Sequence, residues 1–346
     1  MGAPLDSDPL DSEARGACPS PFHRATDFWT LRSAARKAAR GCRHSTPAMA
    51  FLAELETEVL ALQAELRHGT YAPGPFHTFR IRDPKPRTIS AAPFRDRVVH
   101  HALCMAMEPV FEAEADPDSY ACRPGKGTRA AIWRIQQLSR RWPWFAKLDV
   151  HHCFETTHLP TLKAMLGARF VDPPLLAVLD RVLDRGAHAP DRGLPIGNLT
   201  SQHLANFLLA PLDQTARALG VGGWVRYMDD MFVFGPDRQT VARHADAVSH
   251  VLATRLHQQE KSTARRVAPV HSGVPALGMR IWPQRKRLDA ARRKRLHAHL
   301  RRLERAQCPH TSPDEVERLT RSAASIIGWA EQADTRGLRQ AFFRDS

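Results

Sequence analysis

VRYMDDMFVF, Val225 to Phe234, sets two aspartates, Asp229 and Asp230, side by side between apolar runs. Adjacent carboxylates repel each other, and burying either one is costly without a partner. The stretch reads as two short strands around a turn, with Gly235 as the stop. An ordinary solvated turn is one explanation for the acids, and a divalent-cation site is the other. Turns usually draw on Gly, Asn or Pro, and this one has none. The Tyr-Met and Met-Phe-Val-Phe flanks favour the cation site. Asp149, in FAKLDVHHCF, also ends an apolar stretch that reads as a strand running into a turn.

Three aspartates from two strands suit two Mg²⁺ ions, which take oxygen ligands and keep waters and substrate phosphates in their shell. One ion would activate a 3′-hydroxyl, and the other would bind a triphosphate and the leaving pyrophosphate. The ions also relieve the carboxylate repulsion, since their charge dominates the local site.

Composition points the same way. Fifty Lys and Arg face 36 Asp and Glu over 346 residues, a net charge of +14 with a pI of about 10.2. Such an excess favours polyanionic partners, nucleic acid first. No apolar run approaches the roughly 20 residues of a membrane helix, so no membrane partner is expected. MGAPLDSDPLDSEARGACPSP has neither a basic start nor an apolar core, so no leader is expected. Six cysteines form no CxxC pair and read as reduced, scattered thiols of a cytoplasmic protein. The doublets His100-His101 and His151-His152 lack partners at zinc spacing.

Along the chain, residues 1–25 read as a disordered tail rich in Pro, Asp, Ser and Ala. From about Thr30 to Arg67 the reading is helical, with an apolar stripe at Phe51, Leu55, Val59, Leu62 and Leu66 and a stop at His68-Gly69. FHTFRIRDPKPRTISAAPF reads as a β-hairpin turning at DPKP, and RDRVVHHALCMAMEPVFEA as a helix. TSQHLANFLLAPLDQTARAL reads as a long, mostly apolar helix, and GVPALGMRIWP as a strand pair. From Arg285 the chain reads as a basic helix: ten of the 21 residues Arg285–Arg305 are Lys or Arg, with Leu296, Leu300 and Leu303 as its stripe. Strands alternating with helices, then a helical basic end, predict an α+β fold.

With KLDVHHCF upstream, YMDD resembles the palm of a reverse transcriptase. YxDD alone is a four-letter match, and the order of the other blocks gives it weight. PKPRTISAAPFRDRVVHHAL and DSYACRPGKGTRAAI resemble the fingers blocks, GLPIGNLTSQHLANFLLAPLD the block before YxDD, GVPALGMRI the strand pair after it, and SIIGWAEQADTRGLRQAF the end of the thumb. The likeness runs from about Phe28 to Phe343. Group II intron and retron enzymes carry QGxxxSP in the fourth block, whereas this chain has Ile196 for the Gln and Gln202 for the Pro. With SYACRPGKGT, that version is similar to the reverse transcriptases of diversity-generating retroelements. Those enzymes copy a template-repeat RNA into cDNA mutagenised at adenines, and they lack maturase and endonuclease extensions.

The resemblance implies a right-hand polymerase: N-terminal helices and fingers over 26–140, a palm with an antiparallel sheet and part of the fingers over 141–284, and a basic helical thumb over 285–346. It implies that Asp149, Asp229, Asp230 and the Val150 carbonyl hold two Mg²⁺ ions, or Mn²⁺. Phe154 becomes the gate that excludes a ribose 2′-hydroxyl, and its bland alternative is core packing. Arg80, Arg82 and Arg87 flank the hairpin with forks suited to a triphosphate, and Arg87 lies over the incoming base. Ile196, with Gly197 and Gln202 in the same block, stands where faithful enzymes place a Gln against the sugar and template. An aliphatic side chain cannot make those hydrogen bonds. Arg123 and Lys126 in the Gly-rich CRPGKGT turn, Gly278, and Arg292 and Arg295 on the basic helix are expected on template or primer phosphates. Lys261 is expected near the leaving pyrophosphate as a general acid.

The chain departs from the family at Glu155, Thr156, Thr157 and Ala276. Expected partners are template RNA, a primer-template duplex, dNTPs and a small basic helical accessory protein that forms oligomers, in a bacterial cytoplasm or encoded by a phage. An antiphage-defence reverse transcriptase is the nearest rival reading. A non-catalytic RNA-binding scaffold on the same fold is the rival from another class.

Overall fold

A computed structural model describes residues 19–81, 86–306, 312–331 and 333–334. Thirteen helices and nine strands follow in chain order among the described residues: α1 (Pro21–Ala25), α2 (Phe28–Ala38), α3 (Thr46–Ala53), α4 (Leu55–Arg67), β1 (His77–Ile81), β2 (Arg87–Ala91), α5 (Phe94–Glu114), α6 (Thr128–Arg141), β3 (Trp144–Leu148), α7 (Cys153–Thr156), α8 (Leu159–Arg169), α9 (Pro173–Gly186), α10 (Leu199–Ala218), β4 (Gly223–Tyr227), β5 (Asp230–Gly235), α11 (Arg238–Thr254), β6 (Arg266–Pro269), β7 (Val274–Ala276), β8 (Met279–Ile281), β9 (Lys286–Leu288), α12 (Ala290–Ala306) and α13 (Pro313–Ala330). All strand pairing within the three sheets is antiparallel, and helices surround rather than alternate with parallel strands, which gives an α+β fold.

Two compact units divide the chain discontinuously. One holds the described residues up to Val110 with Leu166–Gly186 and Ile196–Thr200, and the other holds Phe111–Met165, Ala187–Pro195 and the described residues from Ser201 on. The boundaries read at 140 and 284 therefore do not follow the units. Residues 111–140 fold with the sheet that carries Asp149, and α9 folds with the N-terminal helices.

In the first unit, the stripe expected on α3 and α4 is the buried face: Phe51, Leu55, Val59, Leu62 and Leu66 all lie inside, and Phe51 meets Phe94 edge to face. His68 caps α4 and Gly69 follows at positive φ, as the sequence predicted. Two expectations are corrected. The disorder read over residues 1–25 does not hold at its end, because Ser20 accepts from the His23 N–H and Pro21 occupies the first turn, and together they start α1; residues 1–18 lie outside the described residues. The single helix read over 30–67 is broken between α2 and α3, where Gly41 takes φ +82°.

In the second unit, the central sheet has the order β4-β5-β3-β6. Its strands carry Phe145, Leu148, Trp224, Val225, Phe232 and Phe234 inside. Helix α11 packs on β3, β5 and β6, and α6 packs on β4 and β5. The basic stretch read as helical from Arg285 begins instead as a strand: β9 pairs with β8, and α12 starts only after Asp289, whose carboxylate accepts from the Arg292 N–H. Leu296 is buried as the stripe predicts.

Candidate active site

The acidic residues sit where two strands end together. Strand β3 pairs with β5 in the register Leu148↔Met231. Asp149 is the first residue past β3, and Asp230 is the first residue of β5. Strand β4 pairs with β5 up to Tyr227↔Asp230, so Met228 and Asp229 form a two-residue turn. Met228 takes φ +54°, an unfavourable conformation for a residue with a Cβ. Such strain gathers at functional turns, and it explains a tight turn built without Gly or Asn. Asp149, Asp229 and Asp230 are all half-buried. Burial, then the charges of Asp229 and Asp149, hold the thiol of buried Cys153 well above the usual cysteine range.

One cation is already present. Lys147 on β3 places Nζ 2.6 Å from Asp230 Oδ1. That oxygen is buried and makes no hydrogen bond, so the contact is an ion pair without directional geometry. Among the described residues, no three His, Cys, Asp or Glu side chains are grouped closely enough to hold a metal ion by themselves. A magnesium site does not need such a group, because Mg²⁺ binds through one or two carboxylates plus water and substrate phosphates. An all-oxygen set with one buried carboxylate oxygen lacking a hydrogen bond fits such an ion.

The loop after β3 is held by a second strand-like segment. The His151 N–H donates to the Gln259 carbonyl at 2.8 Å, and the Lys261 N–H donates to the Asp149 carbonyl at 2.8 Å. Val150 is buried and bridges to Glu260. Lys261 thus stands beside Asp149 along the backbone. Phe154, half-buried on α7, follows His152 at φ +45°. Its carbonyl accepts from the Leu194 N–H at 2.7 Å.

Behind YMDD lies a network that the sequence reading did not find. Arg226 is 2% exposed in β4 and forks onto Asp213, with Nε–Oδ1 2.8 Å and Nη2–Oδ2 2.6 Å. Trp224 Nε1 donates to the same carboxylate. Arg226 Nη1 donates to Asn206, which donates in turn to the Ala121 carbonyl. Thr128 Oγ1 donates to the Tyr227 hydroxyl at 3.1 Å. The text cue was a lone charge within an apolar strand, both here and at Lys147.

The CRPGKGT turn belongs to this unit, and Arg123, expected on a phosphate, makes contacts within the protein. Its guanidinium donates to Glu112 and to the carbonyls of Asp116 and Ser119, and the side chain is nearly buried. Four of its five N–H donors are engaged in this way, which leaves one for an anion. Lys126 donates to the Pro117 carbonyl and lies over the Tyr120 ring. Gln202 is exposed on the first turn of α10 and accepts from Cys122 Sγ.

Gly278 and Arg292 come together. Leu277 and Gly278 both have positive φ in the β7–β8 turn, the pattern of a type I′ hairpin. A Cβ on Gly278 would fall 2.0 Å from Arg292 Cζ, so the guanidinium lies directly on the glycine. Arg295 is half-buried one turn along α12.

The remaining predicted residues lie in the first unit. Arg80 and Arg87 are exposed on β1 and β2, in the register Arg80↔Thr88 and Ile81↔Arg87. Strand alternation puts them on opposite faces of the ribbon, Arg87 with Phe79 and Ile89. Gly197 sits at φ +112° with room for no Cβ, 2.7 Å from Ile89 Cγ2. The Ile196 carbonyl accepts from the Ser90 N–H at 2.9 Å, and Asn198 donates to the Ser90 carbonyl. Ile196 and Gly197 are therefore stitched to the strand that bears Arg87. Arg82 lies outside the described residues.

The model of the family "Reverse transcriptase (RNA-dependent DNA polymerase)" matches residues 81–265, more than half of the chain. Protein YkfC of Escherichia coli is 30% identical over 175 residues, 47% of this chain and 46% of that protein. The group II intron-encoded protein LtrA of Lactococcus lactis is 24% identical over 168 residues, 46% of this chain and 28% of that protein. The matches thus span less than half of these relatives. Apo telomerase from Candida tropicalis shares the fold, with a TM-score of 0.50 and 10% identity over 74% of this chain and 57% of that one. Among the described residues, no helix is long and apolar enough to cross a membrane.

Proposed function

The chain belongs to the reverse transcriptase (RNA-dependent DNA polymerase) family, and on that premise we propose that it extends a primer with dNTPs on an RNA template at the Asp149, Asp229 and Asp230 site. The observation that carries this reading is the placement of three half-buried aspartates, Asp149 just past the end of β3 and Asp229 and Asp230 at the β4–β5 turn, on neighbouring strands of one sheet. Two Mg²⁺ ions, or Mn²⁺, held by these carboxylates and the Val150 carbonyl would lower the pKa of the primer 3′-hydroxyl and offset charge on the leaving pyrophosphate.

The chain's own residues then divide the work. Lys261, tied by its backbone to Asp149, gives a proton to the leaving pyrophosphate. Phe154 rejects a ribose 2′-hydroxyl by its bulk. Arg87 binds the incoming nucleotide from the hairpin face shared with Ile89, and Arg80, on the other face, offers its fork to the triphosphate. Lys126, Arg292, Arg295 and the Gly278 turn hold the template-primer backbone without reading sequence.

The finer assignment is a diversity-generating reverse transcriptase that writes adenine-directed errors into cDNA from a template-repeat RNA. Ile196 supports it, because an aliphatic side chain offers no hydrogen bond to the sugar or template with which to check pairing. A small basic oligomeric accessory protein and the template RNA complete the assembly, in a bacterial cytoplasm. Sequencing cDNA made on a defined RNA tests this: errors concentrate at template adenines, and Ile196→Gln lowers them several-fold. Accurate cDNA from the wild type, with its RNA and accessory protein supplied, overturns the diversification reading while leaving the polymerase.

A further inference from the structure

The polymerase reading gives no task to Lys147, yet its ammonium lies 2.6 Å from an oxygen of Asp230. Lys147 lies on β3, and Asp149 follows the strand's last residue, Leu148. The register Lys147↔Phe232 makes Asp230 its diagonal neighbour on β5, within reach of a lysine stem. Nζ stands 2.6 Å from Asp230 Oδ1 and 5.6 Å from the Phe232 ring centroid. Both side chains are largely withdrawn from water, 18% and 24% exposed. Water therefore screens this pair less than a surface pair, although Asp230 Oδ1 forms no directional hydrogen bond. A charge held by proximity alone gives way to a stronger one without the loss of a hydrogen bond.

We propose that Lys147 is the resident cation of the acidic site, which neutralises Asp230 in the metal-free protein and competes with a divalent ion for that carboxylate. The inference rests on the carboxylate reading above. Its sign is definite. With Lys147 gone, three acids remain near one another without that cation, so the metal-free protein is less stable and a divalent ion binds more tightly. With Lys147 present, the ion must displace an ammonium already in place. The site then stays organised while empty and releases metal readily.

The test counts free Mn²⁺ by electron paramagnetic resonance as the metal is titrated into the full chain without nucleic acid or nucleotide. Wild type, Lys147→Met, Lys147→Arg and Asp230→Asn are compared, together with the Lys147→Met/Asp230→Asn double variant. The expected result is Mn²⁺ binding about tenfold tighter in Lys147→Met, near wild type in Lys147→Arg, and with no such gain when Asp230→Asn is also present. Lys147→Gln carries the same sign should the Met variant not fold. Unchanged or weaker Mn²⁺ binding in both neutral variants overturns the proposal. Wild-type binding that is indifferent to Asp230→Asn overturns the carboxylate reading itself.

Discussion

The main-chain N–H of Lys261 donates to the carbonyl oxygen of Asp149 at 2.8 Å. The link fixes a cationic residue beside an acidic one without using either side chain. Changing the Lys261 side chain therefore leaves the pairing in place. Lys261→Ala lowers the maximal rate of nucleotide incorporation about 100-fold by removing a general acid, with template-primer affinity unchanged, and Lys261→Arg recovers part of the rate. Rapid-quench incorporation beside a binding isotherm checks it, and an unaltered rate would assign Lys261 a merely structural place.

Arg226 and Asp213 form a pair in which each side chain is 2% exposed. Breaking such a pair leaves an uncompensated buried charge and costs about 3–5 kcal/mol. Asp213→Ala is expected to lose stability on that scale, read by urea unfolding. The double variant Arg226→Met/Asp213→Leu recovers most of the loss, because it buries no lone charge. The YMDD turn hangs from the same strand, so Asp213→Ala also lowers activity at temperatures where the protein is still folded.

His100 is buried in α5, and burial pushes its pKa from 6.5 down to about 4. The unfolded chain then binds a proton near pH 6.5 that the folded chain refuses. Stability attributable to His100 is full above pH 6.5 and falls as pH drops toward 4, by on the order of 3 kcal/mol at 1.36 kcal/mol per tenfold. Denaturant unfolding at pH 7, 6 and 5 measures the slope, and His100→Leu flattens it.

Much of the site was legible because its pattern is local. Apolar strands flanking Asp229 and Asp230 gave the β4–β5 hairpin, and the stripe from Phe51 to Leu66 gave the buried helix faces. What the text hid depends on partners distant in the chain. Lys147 and Arg226 stand out as lone charges in apolar strands, but their partners appear only when β3 meets β5 and α10 meets β4. Arg123 looked like a phosphate ligand in its Gly-rich turn, but Glu112 and two carbonyls take four of its five donors. Lys286–Leu288 reads as the start of a basic helix, and only pairing with β8 makes it a strand. The contact between Gly278 and Arg292 could not be seen in sequence, because it joins a turn to a separate helix.

The central claim is that Asp149, Asp229 and Asp230 together support RNA-templated DNA synthesis. The most direct measurement is primer extension on a defined RNA template with Mg²⁺ and all four dNTPs, with wild type run beside Asp229→Asn. The account predicts template-length cDNA from the wild type and none from the variant, with both proteins binding the template-primer equally. No synthesis by the wild type when its own RNA and accessory protein are supplied, or undiminished synthesis by Asp229→Asn, would contradict it.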